Sequence, residues 1–261
     1  MFSIVRTGLA AATQEIAVLS DNIANARTTG YKRQMARFED VYSHPAAESQ
    51  PPYRGRGALV AEPRRSHTQG GIVTSAVETD LAIIGNGMLV LAPPPGQETP
   101  VYTRNGALRL APDGTLTGMD GLAVLSAALQ PIVIPPELRD AAGEGGRLSA
   151  LEIGADGTIM GRYGINTVAR LGQIGLARFE DESQLRRLGG TLYGETPGAA
   201  GPRIGAPGDE GFGYLVAGAT EAANVDMTSE LTSLIRAQQA FGSSARLLQT
   251  VAEMDKRLID R

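Results

Sequence analysis

From the N-terminus, apolar residues recur at Val5, Leu9, Ala12, Ile16, Leu19, Ile23 and Ala26. The steps alternate four and three without a break, which is the a/d repeat of a helix made to pack against another helix. Arg6, Thr13, Gln14, Glu15, Ser20 and Asp21 occupy the other faces. So narrow a stripe does not cover a globular core. It predicts a helix over 3–27, roughly 36 Å long at the standard rise, that needs a helical partner.

A second long helical pattern lies at the far end of the chain. Residues 226–259 contain no proline, and Asp226 is a natural N-cap. Leu231, Leu234, Ile235, Phe241, Ala245, Leu248, Ala252, Met254 and Leu258 form a stripe that drifts around the axis. Gln238 sits in its path and Gly242 is its weak point. Two seams at opposite ends of one sequence ask to be brought together, within one molecule or among many.

Between them, 79–218 reads as short strands punctuated by glycine: LAIIG, GMLVLA, VYTRN, ALRLA, QPIVI, SALEIG, TIMGRY, ARLGQIGLARF and GYLVAG. LAPDGTLTG at 110–118 and IGADGTIMG at 153–161 nearly repeat each other, each with Asp-Gly between apolar runs, a hairpin signal. Residues 43–75 are rich in Pro, Gly and Arg and predict an extended, partly ordered connector. The fold class expected is α+β: long N- and C-terminal helices pairing as a coiled-coil-like inner domain, with an all-β middle domain. The expected divisions are 1–42 for the first helix and its motif, 43–78 for the connector, 79–220 for the β-domain and 221–261 for the last helix.

Composition removes several function classes. The chain has 261 residues, net charge -4 and no cysteine. There is therefore no disulfide framework and no thiolate nucleophile. His44 and His67 lie far apart without ligand spacing. No run approaches the length of a membrane span, and Arg6, Gln14 and Glu15 interrupt any signal-peptide core at the N-terminus. Gly85-Asn86-Gly87 lacks a third glycine at Val90 and reads as a tight turn, not a dinucleotide loop. Glu180, Asp181 and Glu182 read as a solvated loop. No catalytic residue, metal or cofactor is expected.

The segment SDNIANARTTGYKR at 20–33 is least like the helix it ends. Gly30 is suited to the left-handed conformation that stops a helix. A stop needs only the glycine, yet Asn22 and Asn25 stand beside the seam, where polar side chains set register and partner number. Arg27, Lys32, Arg33 and Arg37 form a small basic cluster; without an aromatic platform it reads as ion pairing within or between subunits, not nucleic-acid binding.

SDNIANARTTGYKRQMARFEDVY resembles the N-terminal motif of the bacterial flagellar rod and hook family. TDLAIIGNGMLVL, VYTRNGALRLAPDGTL, LGQIGLARFEDESQLRRLGGTLYGET, GAPGDEGFG and EAANVDMTSELTSLIRAQQAFGSSARLLQTVAEMDKRL follow in that family's order. The resemblance implies a structural subunit of the basal-body rod. Its terminal helices would form an inner tubular layer and its β-domain an outer one. It would be exported through the flagellar type III apparatus without a cleavable signal. Its partners would be copies of itself and neighbouring rod and hook proteins, with neither nucleic acid nor membrane insertion. Asn22, Asn25, Thr29, Gly30 and Tyr31 match the N-terminal motif, and Asn224, Val225, Gln238 and Phe241 the C-terminal one. These are expected at subunit contacts together with the seam residues Val5, Leu9, Ala12, Ile16, Leu19, Ile23, Leu231, Leu234 and Leu248. LGQIGLARF and GAPGDEGFG look like the distal rod, which is favoured over the proximal rod, whereas FEDVYS looks hook-like. A short hook-type axial subunit and a soluble coiled-coil adaptor are the alternative readings.

Overall fold

The computed structural model describes residues 2–43, 54–139, 145–164, 167–196 and 201–259. The chain divides into two compact units: residues 1–26, 33–66 and 225–261 form one, and residues 27–32 and 67–224 the other.

The first unit holds both long helices, α1 (Phe2–Ala24) and α2 (Met227–Ile259), and two strands, β1 (Gln34–Ser43) and β2 (Arg54–Arg65). Asp226 caps α2 as expected: its carboxylate accepts from the Ser229 N–H (3.0 Å) and its carbonyl from the Glu230 N–H (3.0 Å). The helices lie side by side and antiparallel. Asn22 bonds to Glu230, while fourteen residues back along α1 a Cβ on Gly8 would stand 3.9 Å from Ser244 Oγ.

The stretch read as a connector differs from expectation. β1 and β2 pair antiparallel from Gln34↔Arg65 to Ser43↔Arg54, with irregularities at Met35/Arg37 and Asp40/Tyr42. The Pro and Gly of this stretch concealed the pairing because its alternation is broken by those irregularities. Both strands pack on α1. At Gly57 the approach is so close that a Cβ would lie 2.1 Å from Thr7 Oγ1, and the backbone is at φ +108°.

The apolar stripe of α1 is therefore wider than a single seam. Val18 is buried with Ala12 and Leu19, because α1 is covered by α2 and by the strand pair. On α2 the drifting stripe resolves into a regular column. Glu230, Leu234, Ala237, Phe241, Ser244, Leu248 and Val251 follow steps of four and three, and Glu230 and Ala237 are buried.

The second unit is β-rich. A six-stranded sheet runs β14 (Arg186–Gly189), β15 (Leu192–Gly194), β6 (Val101–Thr103), β5 (Met88–Leu91), β13 (Leu176–Arg178) and β16 (Arg203–Gly205). A four-stranded sheet runs β12 (Thr167–Gln173), β11 (Thr158–Tyr163), β10 (Gly145–Ile153) and β9 (Glu137–Arg139). Two-stranded pairs complete it: β17 (Tyr214–Ala217) with β4 (Leu81–Ile84), β18 (Ala219–Glu221) with β3 (Ile72–Thr74), and β7 (Leu108–Leu110) with β8 (Leu116–Gly118).

The main core of this unit gathers Leu81, Ile83, Leu89, Leu91, Leu108, Leu116, Ile134, Ile159, Ile174 and Leu176 among others. The two Asp-Gly segments are turns of one kind. Asp113 accepts from the Thr115 N–H and Asp156 from the Thr158 N–H, each at 3.0 Å, while Gly114 and Gly157 take φ near +80° (83° and 77°). Gly85 and Gly87 also have positive φ, so the Gly-Asn-Gly segment is a turn between β4 and β5.

Candidate functional site: buried polar anchors and exposed apolar faces

The unhelical segment after α1 is built around polar side chains that the fold encloses. Asn25 ends the helix locally: its Nδ2 donates to the Asp21 carbonyl (2.9 Å) and carboxylate (3.0 Å). Asn22 does something else. Its side-chain amide pairs with the main chain of Gln34 like a neighbouring strand, donating to the carbonyl (2.8 Å) and accepting from the N–H (2.8 Å). Nδ2 also donates to Glu230 (3.0 Å), whose other oxygen accepts from Arg33. Asn22 and Glu230 are both fully buried. One asparagine thus joins α1, α2 and the start of β1.

Residues 27–32 belong to the β-rich unit although the chain on both sides belongs to the helical one. They lie in it as a strap. The Gly30 N–H donates to the Glu221 carbonyl (2.8 Å), and the Asn224 N–H donates to the Tyr31 carbonyl (3.4 Å). Tyr31 is buried. A Cβ on Gly30, at φ +69°, would meet the Asn105 main-chain nitrogen at 2.6 Å. Lys32 is 1% exposed; its Nζ donates to Glu221 Oε1 (2.6 Å) and to the Thr68 carbonyl (2.8 Å). Glu221 also receives Arg104 Nη1 (3.4 Å) and the Gly70 N–H (2.9 Å).

Burial holds the Lys32 ammonium below the usual lysine range, and its contact with Glu221 works against that shift. Buried charges of this kind are tolerated because each is paired and hydrogen-bonded. Three of the four residues of the basic cluster make ion pairs within the chain, Lys32 with Glu221, Arg33 with Glu230 and Arg37 with Glu39, while Arg27 is exposed.

One carboxylate of the 180–182 loop departs from its reading. Glu180 and Asp181 are exposed, but Glu182 is largely buried, 3.4 Å from His67 Nδ1. Burial pushes its carboxyl above the ordinary range, opposed by Arg104 and Lys32. Nothing in its local sequence signals this. His44 lies outside the described residues, as does the side chain of Leu258. Among the described residues no group of three or more His, Asp or Glu could hold a metal, and no helix is long and apolar enough to cross a membrane.

The residues expected at subunit contacts divide into three. Ala12, Leu19, Asn22, Gly30 and Tyr31 are buried inside this chain. Val5, Leu9, Ile16, Ile23, Asn25, Thr29, Asn224, Val225, Leu234 and Leu248 are half-buried. Leu231 (46%), Phe241 (38%) and Gln238 are exposed. With Met227 and Ile235, Leu231 makes an apolar column at i, i+4 and i+8 on α2 that stays exposed. Asn22, Lys32, Glu221 and Glu230 bond within the chain, and Met227, Leu231 and Ile235 stay exposed.

Three family models match the chain in order: flagella basal body rod protein over residues 4–32, flagellar hook protein FlgE/F/G D1 domain over 82–161, and flagellar basal body rod FlgEFG protein C-terminal over 216–261. The chain is 32% identical to the flagellar basal-body rod protein FlgG of Agrobacterium fabrum over 265 residues, 97% of this chain and 95% of that one. The chain belongs to the flagellar basal-body rod family. It is also 31% identical to FlgG of Buchnera aphidicola subsp. Baizongia pistaciae over 98% of its length and 96% of the relative's. It is 29% identical to the basal-body rod protein FlgF of Caulobacter vibrioides, over 95% of its length and 91% of the relative's. As a member of this family it is a structural subunit of the rod. The strap motif lies at the end of the first matched segment, and α2 lies within the last.

Proposed function

We propose that this rod subunit builds the distal part of the shaft by helical polymerisation, with its terminal helices inward and its β-rich unit outward. The relatives named FlgG, matched over nearly their whole length, support the distal assignment. The observation that carries the assembly reading is the uncovered column on α2. Met227, Leu231 and Ile235 are 38%, 46% and 56% exposed after the two helices have paired. A monomer leaves such a face wet, and a neighbouring copy removes it from water. The heptad columns of α1 and α2 pack as a short antiparallel coiled coil, and Leu231, Gln238 and Phe241 meet neighbours in the shaft. The subunit is secreted by the flagellar export apparatus, and its neighbours are copies of itself and other rod and hook proteins.

The test is to tag the protein and locate it by electron microscopy in purified hook–basal bodies. Label in the upper rod, below the hook, is the expected result. Label at the base of the rod would move it to the proximal class. Label along the hook, or none in the structure, would overturn the reading.

A further inference from the structure

The chain holds five Asn-Gly or Asp-Gly steps: Asn86-Gly87, Asn105-Gly106, Asp113-Gly114, Asp120-Gly121 and Asp156-Gly157. Such a step is chemically weak. Glycine has no Cβ to shield its main-chain nitrogen from the side-chain carbonyl of the residue before it, and asparagine is among the thermolabile side chains. Two conditions decide whether that nitrogen attacks. The side-chain carbonyl must be free to turn over it, and its N–H must not be held by an acceptor. A hydrogen bond at either group fixes a geometry other than the reactive one.

The fold denies these conditions to four of the five steps. Oδ1 of Asn105 accepts from the Ala107 N–H (3.1 Å), that of Asp113 from the Thr115 N–H (3.0 Å) and that of Asp156 from the Thr158 N–H (3.0 Å). These three side chains are locked in Asx turns. The glycine nitrogens are also occupied: Gly114 N–H donates to the Ala111 carbonyl (2.9 Å), Gly121 to Gly118 (3.0 Å) and Gly157 to Gly154 (2.9 Å). Asp120 has no Asx bond, but the nitrogen beside it is taken.

Asn86 escapes both restraints. It is exposed, and among the described residues neither its side-chain amide nor the Gly87 N–H has a hydrogen-bond partner. The turn is held by its other groups. The Gly213 N–H donates to the Asn86 carbonyl (2.7 Å), and the Gly85 N–H donates to Gln69 Oε1 (3.1 Å).

We propose that Asn86 is a site of self-modification, at which the folded subunit converts its own asparagine to aspartate and isoaspartate with water as the co-reactant. The Gly87 nitrogen gives its proton to solvent and bonds to Asn86 Cγ. The Cγ–Nδ2 bond breaks, the side-chain nitrogen leaves as ammonia, and a five-membered imide closes. Water then opens the ring at one of its two carbonyls. Opening at Cγ leaves aspartate. Opening at the main-chain carbonyl leaves isoaspartate, with the Asn86 methylene inserted into the main chain. Nothing is oxidised or reduced.

The product falls on the turn that seats the buried charges. The Gly85 carbonyl accepts from Arg104 (2.8 Å), Arg104 pairs with Glu221 (3.4 Å), and Glu221 receives Lys32 of the strap (2.6 Å). The turn has little room to give: Gly87 is buried, and a Cβ on Gly85 would stand 3.2 Å from the Gly213 Cα. An extra main-chain atom at position 86 shifts these groups, so the seat of the strap loosens as the subunit ages.

Arg104 separates the two Asn-Gly steps, so trypsin delivers them in different peptides, 66–104 and 105–109. Purified full-length subunit is held at mildly alkaline pH, with a parallel sample in urea, and the peptides are followed by mass spectrometry and by isoaspartyl methyltransferase labelling. In the folded protein 66–104 should gain the acid form at least several-fold faster than 105–109, with fragment spectra placing the change at Asn86. In urea the two should convert at similar rates, because there only the dipeptide counts. Equal rates in the folded protein, faster conversion at Asn105, or an intact Asn86 while the urea sample converts would each overturn the proposal. The aged parent should also melt lower than the fresh one, whereas Asn86→Ser should melt the same before and after. A parent with Asn86 converted and its melting unchanged would overturn the link to the strap.

Discussion

At the scale of single residues, the molecule depends on polar groups that cannot be exchanged for apolar ones of similar size. Asn22→Leu keeps the volume but strands the Gln34 N–H and carbonyl and one oxygen of Glu230. Each orphaned buried group costs about 1–3 kcal/mol, so the helical unit should lose several kcal/mol in urea unfolding. Gly30→Ala forces a Cβ to 2.6 Å from the Asn105 nitrogen at a positive φ. The conformation alone costs about 1–2 kcal/mol, and the close contact adds to it. The strap should leave its seat, and deuterium uptake at 27–32 should rise.

Glu182 offers a test by pH. Its folded carboxyl lies above the usual carboxylate range because burial outweighs Arg104 and Lys32. The folded protein therefore holds that proton more tightly than the unfolded chain does. Its contribution grows as pH falls from neutrality through the raised value, and is lost as pH rises. Glu182→Gln should stabilise the protein at pH 7 and flatten the slope of stability between pH 7 and pH 5; an unchanged slope in denaturant melts would show that Glu182 is not its source.

At the scale of elements, the two long helices differ in what they bury. Ala237 is 3% exposed and lies in the column of α2 that faces α1. Ala237→Asp places an unpaired carboxylate there, at a cost of several kcal/mol. Far-UV circular dichroism should lose helix while amide spectra of residues 79–218 stay native-like. Leu231→Asp tests the opposite face of the argument. Leu231 is exposed, so helicity and melting temperature of the subunit should hardly change, while rods fail to form. If Leu231→Asp unfolds the subunit instead, the column at 227, 231 and 235 is not the outward face. The strands behave differently, since the β1–β2 pair covers α1 and takes part of the burial that a free helix would seek elsewhere.

At the scale of the whole molecule, the contrast between the units matters most. The β-rich unit encloses a large set of fully buried Leu, Ile and Val side chains. The buried apolar residues of the helical unit are few: Ala12, Val18, Leu19 and Ala237 among those described. Stability follows apolar area removed from water, and local opening follows its lack. The dilute subunit should therefore exchange its amides faster over the folded helices at 5–26 and 231–258 than in the β-rich core, with the helices gaining protection on assembly. Equal protection of both units in the monomer would contradict this.

The plan of this protein was legible in its sequence wherever physical chemistry acts locally. Helix periodicity, the Asp226 cap, the Asp-Gly turns and the glycine turn before β5 depend on spacing and backbone freedom, and each was read where it lies. The tertiary structure alone decided whatever requires distant segments to meet. The β1–β2 pairing was hidden because bulges break its alternation. Glu182 looked solvated because burial is a property of neighbours, not of its own tripeptide. Asn22 and Tyr31 were expected to face another subunit, yet they find their partners in Gln34, Glu230 and Asn224 of the same chain. Lys32 and Arg33 are adjacent in sequence and are drawn to different buried carboxylates, Glu221 and Glu230. No local signal could assign them, because an ion pair in a low-dielectric interior is chosen by which charge would otherwise be left alone.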